Sequence, residues 1–405
     1  MSPTDVVRPR VVLDLERLRH INCGLGRFCL NLTRALLEPG ERSAASCAID
    51  PVLFLPQRAG RYLEPLVSAL RPRRLAVPEI RKEAFVRWMR PLARPFLGRS
   101  RFDLWHVTHQ LSKYLPVDPR VPVLLTIHDL NFLHDADHRD DPARIARKLA
   151  AIQKKIDRAA AITTVSQFTA DDVRAHLDVG GKPIHVIPNG MTQPPEASRV
   201  RPGFLSEGPF LLSIGNCLGH KNFHTLLGML EQLPQQRLVI AGKKSTPYGH
   251  HIEEEIRRRG LGERVLMPGE VSDNDRQWLY EHCEAFLFPS LAEGFGFPVL
   301  EAMQAGKPVF CSRRTSLPEV VGEAGFFFES FEPQLMADVY HRGMETVRQT
   351  DGFAARQVEH AARYSWDASA AGYRQVYEAI TRASGAGDRA LPSPAAITHE
   401  AACAA

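Results

Sequence analysis

Residues 285–306 read AFLFPSLAEGFGFPVLEAMQAG. The opening run, Ala285 to Ser290, is apolar and short, as a buried strand would be. Gly294 and Gly296 interrupt it, and the stretch from Pro298 onward reads as a helix. Proline suits a first helical position, because the N–H it lacks would have no partner there. Strand, glycine turn and helix in succession mark an α/β unit. The turn carries two carboxylates, Glu293 and Glu301, around its glycines. Glycine lets the backbone approach a ligand closely, and amides at a helix start attract phosphate. Glu301, one turn into the helix, can accept bonds from hydroxyls such as those of ribose. Glu293 can do the same for a sugar. Helix-start carboxylates also occur simply to complement the dipole; a pair spaced around a glycine turn favours the ligand-binding reading.

The same alternation extends in both directions. Residues 209–215, 237–242, 264–269 and 307–312 read as strands, with helices at 223–233 and 273–283. Upstream, 10–15, 51–56, 104–108, 122–130, 160–166 and 184–190 read as strands, with helices at 26–38 and 141–160. Repeated units of this kind build parallel sheets. Between the two series, 191–209 is rich in Pro and Ser and reads as a linker. The expected architecture is α/β: two Rossmann-like domains facing across a cleft, over residues 1–196 and 209–363. Residues 384–405 lack bulky apolar side chains and read as a disordered tail. Ligands of open α/β sheets bind beyond the carboxyl ends of strands, so the strand-end loops are where chemistry is sought.

Three further loops qualify. Gly215-Asn216-Cys217-Leu218-Gly219-His220-Lys221 follows a strand and leads into a helix. A lysine at a helix start opposes the dipole unless an anion lies between them, and a diphosphate leaving group would be such an anion. Gly24-Leu25-Gly26 follows the first strand, but without the third glycine of the dinucleotide fingerprint. His128-Asp129 closes the strand that begins at Pro122, with His106 and His109 as weaker histidines of the same kind. Asp135-Ala136-Asp137 has the look of a metal-binding D-x-D, but sits in a charged loop and reads as solvated. No metal ligands are expected.

Composition sets the outer limits. The chain has 405 residues, 44% hydrophobic and 24% charged, with a net charge of +5. That describes a globular protein of two or three domains. Seven scattered cysteines without a C-x-x-C pair suggest neither a disulfide framework nor a zinc site. No run is long and apolar enough to span a bilayer, and no secretory signal is read, so a cytoplasmic location is expected. Residues 1–200 hold 31 Lys+Arg against 21 Asp+Glu, so the first half is basic and the second acidic. The most basic stretch, 71–101, has ten Lys+Arg against two Glu, with apolar residues near helical spacing from Ile80 to Phe96. Such a segment suits an anionic membrane surface; the plainer alternative is an ordinary helix. No nucleic-acid recognition motif accompanies the charge.

Taken together, these motifs resemble retaining glycosyltransferase family 4, whose members have the GT-B fold. Glu293 to Glu301 matches its E-x7-E signature. Gly24/Gly26, His128-Asp129, Thr164-Val165-Ser166, Ile187-Pro188-Asn189-Gly190 and Lys221 fall in the family's order. Tyr364-Ser365-Trp366 resembles the start of its C-terminal helix, 364–381, which returns to the first domain. The resemblance implies a metal-independent hexosyltransferase without a cofactor. Its donor would be a UDP- or GDP-linked sugar, mannose being the preferred hexose. Its acceptor would be a glycan or lipid-linked glycan in cell-surface polysaccharide or lipopolysaccharide assembly. It also implies His128, Lys221 and Glu293 as catalytic residues. Donor contacts would come from Gly24, Gly26, Asp129, Gly215, Asn216, Lys221, Val271, Glu293, Gly294, Phe295, Gly296 and Glu301. Asn216 departs from the family, where an Arg is common; Arg27 or Lys243 could then supply the second phosphate contact. The competing readings are a nucleotide-sugar 2-epimerase of the same fold and a non-catalytic binding scaffold.

Overall fold

The computed structural model describes residues 8–20, 23–38, 49–56, 63, 73–77, 102–116, 118–134, 141–192 and 200–385. The chain divides into two compact units. The first comprises Met1–Asp129, Ala146–Gly190 and Ser365–Ala405; the second, Leu130–Ile145 and Met191–Tyr364.

The first unit is built on a parallel sheet of β1 (Arg10–Asp14), β2 (Asp50–Pro56), β3 (Arg73–Val77), β4 (Leu104–Val107), β5 (Val123–Ile127), β6 (Ala161–Thr164) and β7 (Ile184–Val186). Their order across the sheet is β3-β2-β1-β4-β5-β6-β7. β4, β5 and β6 are buried at every residue, which is why they read as unbroken apolar runs rather than alternating ones. Around the sheet lie α1 (Gly24–Leu37), α2 (Pro142–Arg158), α3 (Gln167–His176) and, from the far end of the chain, α11 (Trp366–Gly385).

α1 buries Phe28, Cys29, Leu32, Ala35 and Leu36, one face at helical spacing. α11 buries Tyr373, Val376, Tyr377 and Ile380, again three and four apart. Burying each of the phenylalanine, leucine, valine and isoleucine side chains among them contributes roughly 1.5–3 kcal/mol. The tyrosine hydroxyls still need partners. Tyr377 bonds His106 Nδ1 at 2.8 Å, and Tyr373 meets Thr126 Oγ1 at 3.2 Å. Arg374, also on α11, donates to the carbonyls of Ala35 at 2.7 Å and Leu36 at 3.4 Å. These belong to the last turn of α1, whose carbonyls lack partners within the helix.

The second unit has a six-stranded parallel sheet of β8 (Leu211–Ile214), β9 (Leu238–Ala241), β10 (Val265–Gly269), β11 (Ala285–Phe288), β12 (Val309–Ser312) and β13 (Phe326–Phe328). The order is β10-β9-β8-β11-β12-β13. Its helices are α4 (His224–Glu231), α5 (Pro247–Arg258), α6 (Asp273–His282), α7 (Phe297–Gln304), α8 (Leu317–Val321), α9 (Pro333–Gln349) and α10 (Phe353–Ala362). Winding reverses between β8 and β11, the position at which open α/β sheets bind ligands.

Several readings change on contact with the structure. The run 122–130 is a strand only over Val123–Ile127, leaving His128 just past its end. Two strands, β3 and β13, were not expected. β3 lies inside the basic stretch 71–101, ahead of its helically spaced part from Ile80 onward. Among the described residues it pairs with β2 alone, at the edge of the sheet. Residues 78–101, with the proposed amphipathic segment, lie outside the described residues. So do Asp135-Ala136-Asp137, residues 193–199 of the linker read at 191–209, and 386–405 of the tail read at 384–405, whose first two residues instead end α11.

Candidate functional site

In the second unit the loops after β8 and β11, the strands flanking the reversal, are fastened together. Leu291 N donates to His220 O at 2.7 Å, and Ser290 Oγ donates to the same carbonyl at 3.1 Å. His220 and Lys221 form a 3-10 turn, Gly219–Lys221, which ends at Asn222 in the left-handed conformation (φ 57°). This turn aims Lys221 across the gap. Its Nζ donates to Glu293 Oε1 at 2.5 Å, while the Ser290 hydroxyl donates to the same oxygen at 2.6 Å. Glu293 Oε2 has no hydrogen-bond partner among the described residues. The Lys221 ammonium also lies 4.9 Å from the centre of the Phe288 ring. Both side chains are only 12% exposed, so this pair is largely withdrawn from water. The anion beside Lys221 in the structure is the Glu293 carboxylate.

Around Glu293 the backbone is held by β12's exit loop. Thr315 Oγ1 accepts from Glu293 N at 2.9 Å, and Ser316 Oγ donates to Glu293 O at 2.8 Å and to Phe295 O at 3.2 Å. Thr315 itself has φ 52°, a costly conformation for a β-branched residue and one that collects at functional sites. Gly296 caps α7 with φ 108°, and a Cβ there would lie 2.9 Å from Leu317 Cδ2. Only glycine fits. No side chain caps α7 and no acidic residue stands in its first turn, which suits an anion. Glu301, in α7, accepts from Tyr280 OH at 2.8 Å.

The other expected donor contacts of this unit fall into place unevenly. Gly215 packs against Lys221, with a built Cβ meeting Lys221 Cε at 3.5 Å. Asn216 is exposed and its Oδ1 receives Lys243 N at 3.4 Å, so Lys243 adjoins the position of the absent arginine through its backbone. Val271 is half-buried just before α6. Gly294 is buried. Phe295 is buried against Phe297 and Tyr364, with ring centres at 5.3 and 5.6 Å. Its side chain is therefore packing, and only its backbone is available to a ligand.

In the first unit His128 is buried, its Nε2 lying 2.8 Å from Thr108 O. A carbonyl only accepts, so Nε2 carries the proton and Nδ1 keeps its lone pair. Burial lowers His128 to about 4, so the ring is neutral. Gln110, which the sequence did not single out, grips both sides of it. Its Oε1 accepts from His128 N at 3.2 Å and its Nε2 donates to Asp129 O at 2.8 Å. Phe28 stands edge-on to the ring at 4.6 Å. Gly24 is exposed and Gly26 buried at the start of α1. Ser166 is the N-cap of α3, accepting from Thr169 N at 3.1 Å. Gly190 lies against the Ser365–Trp366 backbone so closely that no Cβ fits. His106, by contrast, is a core residue: both ring nitrogens are bonded, to Tyr377 and to Thr126 Oγ1, each at 2.8 Å.

Models of two related families match the two halves. A model described as Glycosyltransferase Family 4 matches residues 23–192, and one described as Glycosyl transferases group 1 matches residues 196–345. The chain is a family 4-type glycosyltransferase with the GT-B fold. This glycosyltransferase is 26% identical over 383 residues to O-antigen chain mannosyltransferase B of Escherichia coli, covering 88% of this chain and 96% of that one. It is 23% identical over 368 residues to O-antigen chain mannosyltransferase RfbU of Salmonella typhimurium, at the same coverage. Among solved structures, sucrose-phosphate synthase of Thermosynechococcus elongatus superposes with a TM-score of 0.68 at 17% identity, over 93% of this chain and all of that one. HepE of Anabaena, solved with UDP-glucose, superposes with a TM-score of 0.66 at 20% identity, over 92% and 99%. At these identities the structures speak for the fold alone. Among the described residues of the enzyme, no helix is long and apolar enough to cross a membrane.

Proposed function

We propose that this glycosyltransferase moves mannose, with retention at the anomeric carbon, from a nucleoside-diphosphate donor onto a growing glycan of the lipopolysaccharide O-antigen type. The sugar and acceptor rest on relatives named as O-antigen mannosyltransferases that align along 88% of the chain. The chemistry rests on one observation: the Lys221 ammonium and the Glu293 carboxylate meet at 2.5 Å beside the uncapped start of α7.

In this reading the donor diphosphate binds at α7's amides and draws Lys221 away from Glu293. A lysine on the leaving diphosphate stabilises charge that grows as the glycosidic bond breaks. Glu293 then turns its carboxylate to the sugar hydroxyls, beginning with the unoccupied Oε2. Glu301, steadied by Tyr280, accepts from the ribose. The family likeness assigns His128, Asp129, Gly24 and Gly26 to the reacting sugar and the donor phosphates, with Gly215, Asn216 and the Val271 loop completing the nucleotide site. The leaving diphosphate takes the acceptor's proton, so neither a metal nor a covalent nucleophile is required. Catalysis is positioning and charge stabilisation. Contact with an anionic membrane through 71–101 belongs to this proposal as the route to a lipid-borne acceptor.

The test is transfer of labelled sugar to O-antigen oligosaccharides from a panel of GDP- and UDP-sugars, with NMR of the product linkage. α-Mannoside formed from GDP-mannose supports the reading. An inverted linkage, or turnover of the donor to an epimer without any acceptor, defeats it.

A further inference from the structure

The carboxyl ends of β1 and β4, where the first unit's sheet reverses its winding, carry a polar cluster that the roles above leave unused. Arg17 lies in the 3-10 turn Glu16–His20 that follows β1, and His109 stands just beyond β4. Arg17 Nη2 donates to His109 Nδ1 at 3.1 Å, and Leu111 N donates to the same nitrogen at 3.0 Å. A nitrogen receiving two donors carries no proton, so the ring is held uncharged with its proton on Nε2. Burial drives His109 in the same direction, well below the ordinary histidine value. It serves as a fixed rest for the guanidinium.

The guanidinium itself is short of partners. Arg17 Nε is buried and has no acceptor, and no carboxylate among the described residues forms an ion pair with it. A buried N–H left unpaired is costly. The neighbouring acids are engaged elsewhere. Asp14, wholly buried, takes Glu16 N on Oδ1 at 3.1 Å and the Ser112 hydroxyl on Oδ2. Burial pushes it up to about 7, which weakens it as a counter-ion for Arg17 at neutral pH. Glu16 Oε2 faces Lys113 N at 3.5 Å. The turn also joins the start of α1, with Cys23 N donating to His20 O at 3.2 Å, and no side chain caps that helix.

We propose that Arg17, braced by His109, anchors an oxyanion subsite in the first unit that takes a phosphate or diphosphate group. A guanidinium fork matches phosphate oxygens two at a time, and the strand ends at a winding reversal are where such sheets receive ligands. The source of the group rests on the glycosyl-transfer reading: it is either the donor's diphosphate or a phosphate carried by the acceptor.

Inorganic pyrophosphate titrated into the full chain, followed by calorimetry, tests the subsite without any turnover. Lys221→Ala removes the ammonium of the second unit; the subsite predicts residual binding in this variant, weakened at least tenfold by adding Arg17→Gln. No residual binding in Lys221→Ala, or an affinity indifferent to Arg17→Gln, overturns the proposal. Should Arg17→Gln fail to fold, Arg17→Lys keeps the charge without the fork and is expected to bind several-fold more weakly; equal affinity again overturns it. Kinetics of Arg17→Gln then identify the source. A raised acceptor KM with unchanged donor KM and unchanged acceptor-free donor hydrolysis assigns the acceptor's phosphate, and a raised donor KM assigns the donor's. Loss of sugar transfer in the unsubstituted enzyme would refute the proposed function while leaving the pyrophosphate result standing.

Discussion

Lys221 and Glu293 stand 72 residues apart in the chain and share one hydrogen bond of 2.5 Å. Each lies on the loop that leaves one of the two strands flanking the winding reversal, and each is nearly withdrawn from solvent. Removing one partner of such a pair strands the other's charge, which costs more than the pair itself contributes. The two residues therefore have opposite consequences for donor binding when changed.

Lys221→Ala should lower kcat/KM for transfer by about 100- to 1,000-fold, the range for deleting one preorganised stabiliser of a leaving oxyanion. It should also lower the melting temperature, because Glu293 is left alone. Steady-state kinetics and a thermal melt of the same preparation check both; retained turnover would remove Lys221 from the site.

Glu293→Gln should behave differently. It frees Lys221 from its internal counter-ion, so nucleoside diphosphate should bind as well as before or more tightly, while sugar transfer falls steeply. Calorimetry with the nucleotide alone, set beside transfer rates, separates the two. A parallel loss of both would mean that Glu293 only holds the loop together.

Tyr280→Phe deletes the hydroxyl that steadies Glu301 at 2.8 Å. The change should cost about 1 kcal/mol of donor affinity, seen as a several-fold rise in donor KM with kcat nearly constant. A fall confined to kcat would contradict the ribose assignment for Glu301.

Gly296→Ala places a methyl group at φ 108° and 2.9 Å from Leu317 Cδ2. Destabilisation of about 1–3 kcal/mol is expected from strain and crowding, with loss of activity at temperatures where the enzyme is still folded. A variant as stable and active as the parent would show the turn to be pliable.

Stability should also carry a pH signature. Burial first, with repulsion from His128 as a lesser cause for His106 and from Arg17 for His128, depresses His106 to about 3 and His128 to about 4. Below pH 6.5 the unfolded chain takes up protons that the folded chain refuses, so stability declines as pH falls through this window, by ~2 kcal/mol per histidine at pH 5. Asp14, raised to about 7 by burial, acts in the reverse sense: its contribution is complete below 3.8 and disappears as pH climbs through 7. In Asp14→Asn the opposing contribution is absent, and the decline between pH 7 and 5 should steepen by ~2 kcal/mol. Denaturant midpoints at the two pH values measure it, and equal slopes in parent and variant would count against the buried carboxyl.

Much of this architecture was legible in the sequence because buried parallel strands are continuous apolar words, and β8, β11 and β12 stand out as such. β3 was not, since Arg73-Arg74-Leu75-Ala76-Val77 has the charged look of an edge strand and sits in a run that also fits a basic helix. β13 is three phenylalanines, too few to display a period. At the site, residues bound to a glycine turn or a helix start, such as Glu293 and Glu301, announced themselves. Those that act through contacts made from elsewhere in the chain did not: Tyr280, Ser290, Thr315 and Gln110 have no local pattern. His106 and His128 look alike as strand-end histidines, and only the partners of their ring nitrogens separate a core residue from one with a lone pair to offer.

The way Arg374 closes the end of α1 has a bearing on biogenesis. A ribosome must translate through the whole of the second unit before α11 emerges to bury Tyr373 and Tyr377 in the first. Until then the first unit lacks the helix that covers part of its apolar surface, although the segments of the second unit have already been made. The order of maturation would thus run against the order of synthesis, and nascent chains halted before residue 366 should depend on chaperones that shield exposed sheet.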